Sequence, residues 1–527
     1  MAIGGVDHIL VVGDEGVAGT LGEADLIKAL EQPPFHFQAY LGTCFIGCEP
    51  ESSSIHLTGE DKVELRNWIE HIVPKYMQDG KMPGLSIAVV REGETVYSQG
   101  FGARDPQRNL PATPDTLYGI GSITKSFVAI GVMQLVEQGK LSVEDPVKEH
   151  IPFKLGLPGN PIKIHHLLTH SLGLPSIASS SVALYRGVGA DTGIPWGSAE
   201  DFYRLVNGAQ DELVAPPGER FFYHNAAWRM LGHVIQEKSG MPFHRYIKEK
   251  ILEPLGMTRS TLNTAEFYAD SNHIVPHWKK PDGTVEPSRF PYPNPDDNPG
   301  FSFIAAAGGI ASSVNEMAKY LDAQIEKGAY PDGRLASMES FEKMQTLHIH
   351  RPDGYYGEYG YGYGLGITPD FIGHKMVSHG GSILVSTAYM AFLPDAEMGV
   401  IMMGNSASLP YEDIAEGVFA TMLEMDPYEA IPRLAVKRRM DRLTGTYEIY
   451  KGIERVRVAK KAGMLYLETK TPFAETLQPL IPEDTSLEST MFYTLMDCVK
   501  SPVEFVVHED GHVDLFVERY CFHKVPG

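Results

Sequence analysis

The sequence predicts a mixed α/β body built on a sheet, followed by a separate antiparallel β domain of small-barrel type. Three observations carry that expectation. Residues 126–136 contain no charge and are apolar nearly all round a helical wheel, the mark of a buried helix. Residues 85–90 form a strand-like run that is apolar except for Ser86, and Glu92-Gly93 turns it into a second run at 95–101. A hairpin with so little polar surface belongs in a sheet covered on both faces. From about Met440, short strand-like runs separated by turns (446–450, 456–459, 464–467, 503–507, 513–517) replace the helical periodicity.

Taken in order, residues 1–58 read as an extension, with a strand at 8–12 and a short helix at 23–31. Gly13, Gly16 and Gly19 lack the G-x-G-x-x-G order and the βαβ unit that a dinucleotide site needs. Residues 60–79 carry apolar side chains at helical spacing. After the hairpin and the buried helix, Gly139 is a plausible C-cap. His166 and His170 are four apart, but no glutamate base or third ligand accompanies them, so capping and buried hydrogen bonding are the expected roles. Residues 176–215 and 268–303 read as long loops. Ser313-x-x-Glu316 opens a helix to about Glu326 as a capping box. His379-Gly380-Gly381-Ser382 leads into strands at 383–392 and 400–403, and a helix follows from Tyr411 to about Met425. Residues 433–442 carry several basic residues and read as a solvated linker. Three segments are expected: 1–58, 59–427 and 428–527.

Bulk properties bound the function. A chain of 527 residues is too long for one core. Its 43% apolar and 21% charged residues are those of an ordinary globular protein. Sixty-seven acidic against 45 basic residues give a net charge of −22, which argues against nucleic acid or an anionic membrane as the main partner. No uninterrupted apolar run reaches the length of a membrane span, and the N-terminus lacks the basic start of a signal peptide, so a cytoplasmic location is expected. The four cysteines (Cys44, Cys48, Cys498, Cys521) fit no zinc spacing and read as reduced structural thiols. No metal and no cofactor are expected.

The chemistry starts at Ser122-Ile123-Thr124-Lys125. In a helix, Ser122 and Lys125 share a face one turn apart, at an end where free N–H groups and a partial positive charge lie. The pattern alone is common; an N-cap serine with a solvated lysine would look the same. Two further elements follow in order: Tyr223-x-Asn225 and His379-Gly380-Gly381. With these, residues 60–425 resemble the penicillin-recognising serine hydrolases, in the branch related to class C β-lactamases, which also holds D-alanyl-D-alanine carboxypeptidases, D-aminopeptidases and esterases. The stretches 119–127, 166–175, 308–313 and 393–395 resemble the same family. The C-terminal domain resembles, more loosely, the lipocalin-like modules appended to some relatives.

The resemblance implies an antiparallel sheet flanked by helices, with a helical subdomain. It implies Ser122 as nucleophile, activated by Lys125 and Tyr223, whose protons would be coupled. Asn225 would hold Lys125 or the substrate amide. His379 would stand where relatives place a lysine facing the substrate carboxylate. Gly380 and Gly381 would let the substrate approach the strand, and the N–H groups of Ser122 and Ser382 would form the oxyanion hole. Many relatives continue with Pro-Gly, where this chain has Ile383-Leu384-Val385-Ser386. The expected reaction is cleavage of a small amide or ester, from a D-amino-acid peptide, a β-lactam-like compound or a simple ester. An acyltransferase using the same acyl-enzyme and a non-catalytic binding protein are the rival readings. The partner is a small molecule or short peptide; a homo-oligomer is compatible with the chain, which fixes no number of copies.

Overall fold

The computed structural model describes residues 9–12, 18–21 and 60–525, other than 408 and 473. The predicted strand at 8–12 corresponds to Ile9–Val12, paired antiparallel with Ala18–Leu21. The helix expected at 23–31, Cys44, Cys48 and the remaining residues up to 58 lie outside the described residues.

Helix α1 (Glu60–Gly80) leads into β1 (Gly84–Arg91), β2 (Glu94–Asp105) and β3 (Leu110–Pro111). Helices α2 (Thr124–Glu137), α3 (Asn225–Ser239) and α4 (Val314–Ile325) precede a second group of strands. These are β4 (Ile349–Gly354), β5 (Gly357–Tyr361), β6 (Gly366–Phe371), β7 (His374–Ser382), β8 (Thr387–Leu393) and β9 (Met398–Gly404). The nine strands form one antiparallel sheet in the order β4-β5-β6-β7-β8-β9-β1-β2-β3, so the two chain segments meet where β9 pairs with β1.

Of the hairpin expected to be covered on both faces, only β1 is; β2 is exposed or half-buried at most positions. Alternation explains why β1 reads as apolar except for Ser86. Leu85, Ile87 and Val89 enter the core beneath α1 and α5 (Tyr411–Met422), while Ala88 and Val90 enter the core that contains α2 and α3. A strand buried on both faces has no polar side to display. Beneath the first of these faces, Trp68 of α1 lies where a Cβ on Gly417 would come within 2.1 Å of its ring, so α1 and α5 approach closely only because residue 417 has no side chain.

The C-terminal segment is a closed eight-stranded antiparallel barrel. Its strands are β10 (Gly445–Ile449), β11 (Glu454–Lys461), β12 (Met464–Lys470), β13 (Glu475–Pro482), β14 (Met491–Met496), β15 (Val499–Val507), β16 (Val513–Val517) and β17 (Tyr520–Lys524). Pairing of β10 with β17 closes it. Val456 and Val458, Leu465 and Leu467, Val503 and Phe505, and Val513 and Leu515 point inward at period two, with polar neighbours outward.

Three expectations need correction. Residues 176–215 are not one loop: they contain helices Ser179–Gly187 and Ala199–Asn207. The second is capped by Ser198, whose Oγ accepts from Asp201 N, and it buries Phe202, Tyr203 and Val206. Residues 268–303 likewise hold a short hairpin, His277–Lys279 with Val285–Pro287. The expected linker at 433–442 is α6 (Pro432–Leu443), not a solvated face. Its Arg433 bridges Asp413 at 2.8 Å and Glu416 at 2.6 Å, and these carboxylates are only 1% and 6% exposed.

The capping box at Ser313 forms by half. Ser313 Oγ accepts from Glu316 N, but the Glu316 carboxylate turns away to Arg259 N and Ser260 Oγ.

Candidate active site

Ser122 lies on a 3-10 turn (Gly121–Ile123) that precedes α2. Two glycines set this turn against the end of β7. Gly121 has φ +54°, and a Cβ there would sit 2.4 Å from Ser382 N. A Cβ on Gly381 would sit 1.9 Å from Ile120 O and 3.2 Å from Ser122 N. Gly381 also pairs with Ala388 in the ladder, so the strand cannot retreat without breaking its register. The backbone N–H groups of Ser122 and Ser382 are thereby held on neighbouring segments.

Lys125 stands in the first turn of α2, fully buried. Its Nζ lies 2.8 Å from Ser122 Oγ, 2.8 Å from Asn225 Oδ1 and 2.7 Å from Ala307 O. No carboxylate pairs with it among the described residues. Burial, and then the charge of Arg229, hold its amine well below the usual lysine range. Asn225 opens α3, with His224 as N-cap accepting from Ala227 N.

Tyr223 precedes that cap, and Lys125 Nζ lies 4.9 Å above its ring centroid. Burial raises the Tyr223 phenol; a hydrogen bond with Ser122 opposes that shift without reversing it. The phenol is therefore favoured over the phenolate.

Ser122, Lys125 and Asn225 are thus joined directly, with Tyr223 beside them. His379 stands apart. Its Nδ1 is 2.6 Å from Gly380 O and its Nε2 is 2.8 Å from the Tyr361 hydroxyl. The carbonyl can only accept, so Nδ1 carries the proton and Nε2 accepts from Tyr361. Burial, with the Lys125 charge second, pushes this imidazole down to about 3, so it is neutral.

His379 and the residues to Ser382 are not a lead-in to the next strand: they are the second half of β7, and Ile383–Ser386 make the turn to β8. Leu384 in that turn has φ +71°, a left-handed conformation that costs a side-chain-bearing residue about 1 kcal/mol or more. The Ser382 hydroxyl supports it by accepting from Leu384 N.

Further residues pack around these, among them the two histidines for which capping and buried hydrogen bonding are expected. His170, at φ +59° and fully buried, stacks on Tyr223 with ring centroids 4.2 Å apart. His224 N and Trp228 Nε1 both aim at its ring nitrogens, 2.8 and 3.0 Å away. A neutral imidazole accepts only one of them. His166 does not join it around a common centre; its Nδ1 accepts from Lys163 N at the start of a short helix.

Arg229, one turn after Asn225 on α3, is fully buried and has no carboxylate partner among the described residues. It donates to Ile304 O and Ser179 Oγ and is hydrogen-bonded to Tyr292. Burial brings it down to about 10, opposed by Tyr292. Arg351 donates to the Tyr359 hydroxyl at 3.0 Å and packs over Phe221 and Tyr359.

Two cavities lie near these residues. One, of about 380 Å³, is lined by Tyr223, Arg351, Tyr361, His379 and Gly380. The other, of about 500 Å³, is lined by Trp196, Tyr268, Phe290, Tyr292 and Phe301 from the segments expected as loops.

Comparison with known proteins fits this geometry. A family model described as Beta-lactamase matches residues 69–418. The chain belongs to the beta-lactamase family. A second model, the Pab87 octamerisation domain, matches residues 427–523, which take in α6 and nearly all of the barrel.

A solved structure described as the octameric penicillin-binding protein homologue from Pyrococcus abyssi is 38% identical, with a TM-score of 0.78, covering 87% of this chain and 100% of that one. The beta-lactamase/D-alanine carboxypeptidase from Yersinia pestis, complexed with citrate, is 19% identical with a TM-score of 0.53, covering 68% of this chain and 98% of its own, a likeness of fold. Protein flp of Staphylococcus aureus (strain COL) is 25% identical over 352 residues, which make up 66% of this chain and 64% of the staphylococcal protein. This chain therefore spans less than two thirds of that protein's length. The Bacillus subtilis protein PbpX, described as a putative penicillin-binding protein, is 29% identical over 333 residues, 63% of this chain and 73% of its own. Among the described residues no helix is long and apolar enough to cross a membrane.

Proposed function

We propose that this chain is a serine hydrolase that cleaves a small amide or ester through an acyl-enzyme on Ser122. The observation that carries the reading is the environment of Lys125, a buried amine with three oxygen neighbours and no counter-ion among the described residues. An ammonium would donate to all three. A neutral amine has two N–H groups, which Asn225 Oδ1 and Ala307 O take, and one lone pair, which is left for the Ser122 hydroxyl. That is the arrangement of a general base.

Ser122 Oγ attacks the carbonyl carbon as its proton passes to Lys125 Nζ. The oxyanion forms against the N–H groups of Ser122 and Ser382. Collapse expels the amine or alcohol, which takes a proton relayed through the Tyr223 hydroxyl. Water then attacks the ester, and the same groups return Ser122 to its hydroxyl form. Asn225 orients Lys125 throughout; Gly380 leaves the strand edge open to the acyl group, while Gly381 admits the turn that carries Ser122.

Both ring nitrogens of His379 are engaged within the protein, so Arg351 is the group in the first cavity that suits a substrate carboxylate. On this reading the substrate is a carboxylate-bearing D-aminoacyl amide, with a simple ester as the less demanding alternative.

The test is a panel of p-nitrophenyl esters, D- and L-aminoacyl anilides and nitrocefin, with fluorophosphonate labelling and a Ser122→Ala control. Turnover and labelling should both vanish in the variant; full activity there would overturn the assignment. Arg351→Ala should raise KM for carboxylate-bearing substrates alone.

We further propose that residues 59–427 carry the reaction and that 428–527 hold copies of the chain together in a homo-oligomer. The match to an octamerisation domain and the octameric Pyrococcus abyssi relative support this. Light scattering that finds only monomers at micromolar concentration would reject it.

A further inference from the structure

The barrel carries a cluster of ligand atoms of its own. Asp514 and His523 face each other directly across the β16–β17 ladder, which places both side chains on one face. The β15–β16 turn is closed by His508 N donating to His512 O at 2.8 Å and Gly511 N donating to His508 O at 3.0 Å, which folds two more imidazoles over that face. His512 Nε2 and His523 Nδ1 each lie 2.7 Å from Asp514 Oδ1, and His508 Nε2 lies 2.9 Å from Oδ2. No lysine or arginine pairs with Asp514 among the described residues.

Three imidazoles converging on one carboxylate are more than that carboxylate needs. Surface histidines that only bridge to an acid do so singly, as His374 does with Asp395 at 2.9 Å. Here the ligand atoms of His512, Asp514 and His523 all lie within 4.8 Å of one another. Tetrahedral zinc, with bonds of about 2.0–2.2 Å, needs ligands roughly 3.3 Å apart. Small rotations of these rings reach that spacing, and the rings are 40% and 54% exposed, so an ion can enter. Two imidazoles and a carboxylate suit a borderline transition metal, whereas magnesium and calcium prefer oxygen ligands alone.

We propose that His512, Asp514 and His523 bind one divalent transition metal of the zinc class, with His508 holding the second carboxylate oxygen in place. The fourth position faces solvent. The ion would pin the β15–β16 turn to β17, the strand whose pairing with β10 closes the barrel. This site is independent of the hydrolase reading.

The test uses the full chain, stripped with a chelator, and zinc alone as ligand, with binding read by competition against a chromophoric chelator. One zinc per chain is expected, with magnesium failing to compete, and zinc should raise the melting temperature of the stripped protein. His512→Ala/His523→Ala should weaken binding by more than the roughly 10–100-fold that loss of an outer partner costs. His508→Ala should fall within that lesser range, and it keeps the proposal testable if the double variant folds poorly. Absence of zinc uptake at micromolar concentration, or uptake unchanged in the double variant, would overturn the proposal.

Discussion

The nine-stranded sheet and the eight-stranded barrel are both antiparallel, yet they treat polar side chains in opposite ways. Strands β8 and β9 are buried at every position, whereas β11 alternates buried and exposed residues. Beside the sheet, Lys125 and Arg229 are wholly buried with neutral partners, and His379 is buried too. On the barrel, charges meet their opposites in solvent, as in Lys461 with Glu468 and Arg455 with Glu448. Exposed pairs of that kind contribute about 1 kcal/mol at most. A buried cation held only by dipoles has its protonation moved instead, and that is where acid–base chemistry becomes available.

The sharpest break of this contrast is Lys125→Met, which keeps length and removes the amine. If Lys125 were structural, an apolar replacement would be tolerated or stabilising. The expected outcome is a fall in kcat/KM of about 10⁴-fold or more with the fold retained, read by steady-state kinetics beside circular dichroism. Next comes Arg433→Leu, which removes the guanidinium shared by two buried carboxylates. Among the described residues Asp413 keeps Lys437 and the Tyr76 hydroxyl, Glu416 keeps only the Tyr356 hydroxyl, and the cost should be about 3 kcal/mol in denaturant unfolding. On the proposed mechanism, Gly381→Ala should lower kcat by about 10²–10³-fold, the effect of losing an oxyanion donor, because its Cβ drives β7 off the turn that carries Ser122.

A pH series gives a gentler measure. Burial holds His224 down to about 4 and His379 to about 3, below the ordinary value near 6.5. The unfolded chain therefore takes up these protons first. Stability is fully present above pH 6.5 and is lost as pH falls toward 4, by up to about 1.4 kcal/mol per pH unit for each histidine. A flat unfolding free energy over that window would contradict the burial. Smallest is Lys461→Ala on the barrel, expected to change stability by less than about 1 kcal/mol.

Much of this arrangement was legible in the sequence, and the misses have physical reasons. Ser122-x-x-Lys125 and Tyr223-x-Asn225 are short because each spans about one turn of chain, so local spacing holds the geometry. The apolar run at 85–90 announced a strand buried on both faces. His170 was legible as a buried hydrogen-bonding residue but its partners were not: His224 and Trp228 are 54 and 58 residues away, and its stacking on Tyr223 is tertiary. Arg229 could have been noticed as a lone cation in an otherwise apolar turn of α3.

The helices at 179–187 and 199–207 were hidden by Ser, Gly and Ala content, although Ser198 and Asp201 form a capping pair. Strand β13 escaped for a different reason. Pro479 and Pro482 fall within β13, and residue types that break a run are tolerated on a barrel whose register its neighbours impose. Arg433 looked solvated because its partners Asp413 and Glu416 belong to another helix.

Helix α6 has a consequence for mechanics. Leu434, near its start, belongs to the core shared by α1 and α5, while Leu443, at its end, belongs to the interior of the barrel. Arg439 adds a tie to Ser486 O at 2.6 Å, and the Tyr447 hydroxyl clasps Leu443 O at 2.7 Å. A rod anchored in two interiors transmits torque where a loose tether would absorb it. Pulling on the barrel would therefore load α5 and the strands it covers before it could spin the module freely, which makes the junction a drive shaft and not a swivel.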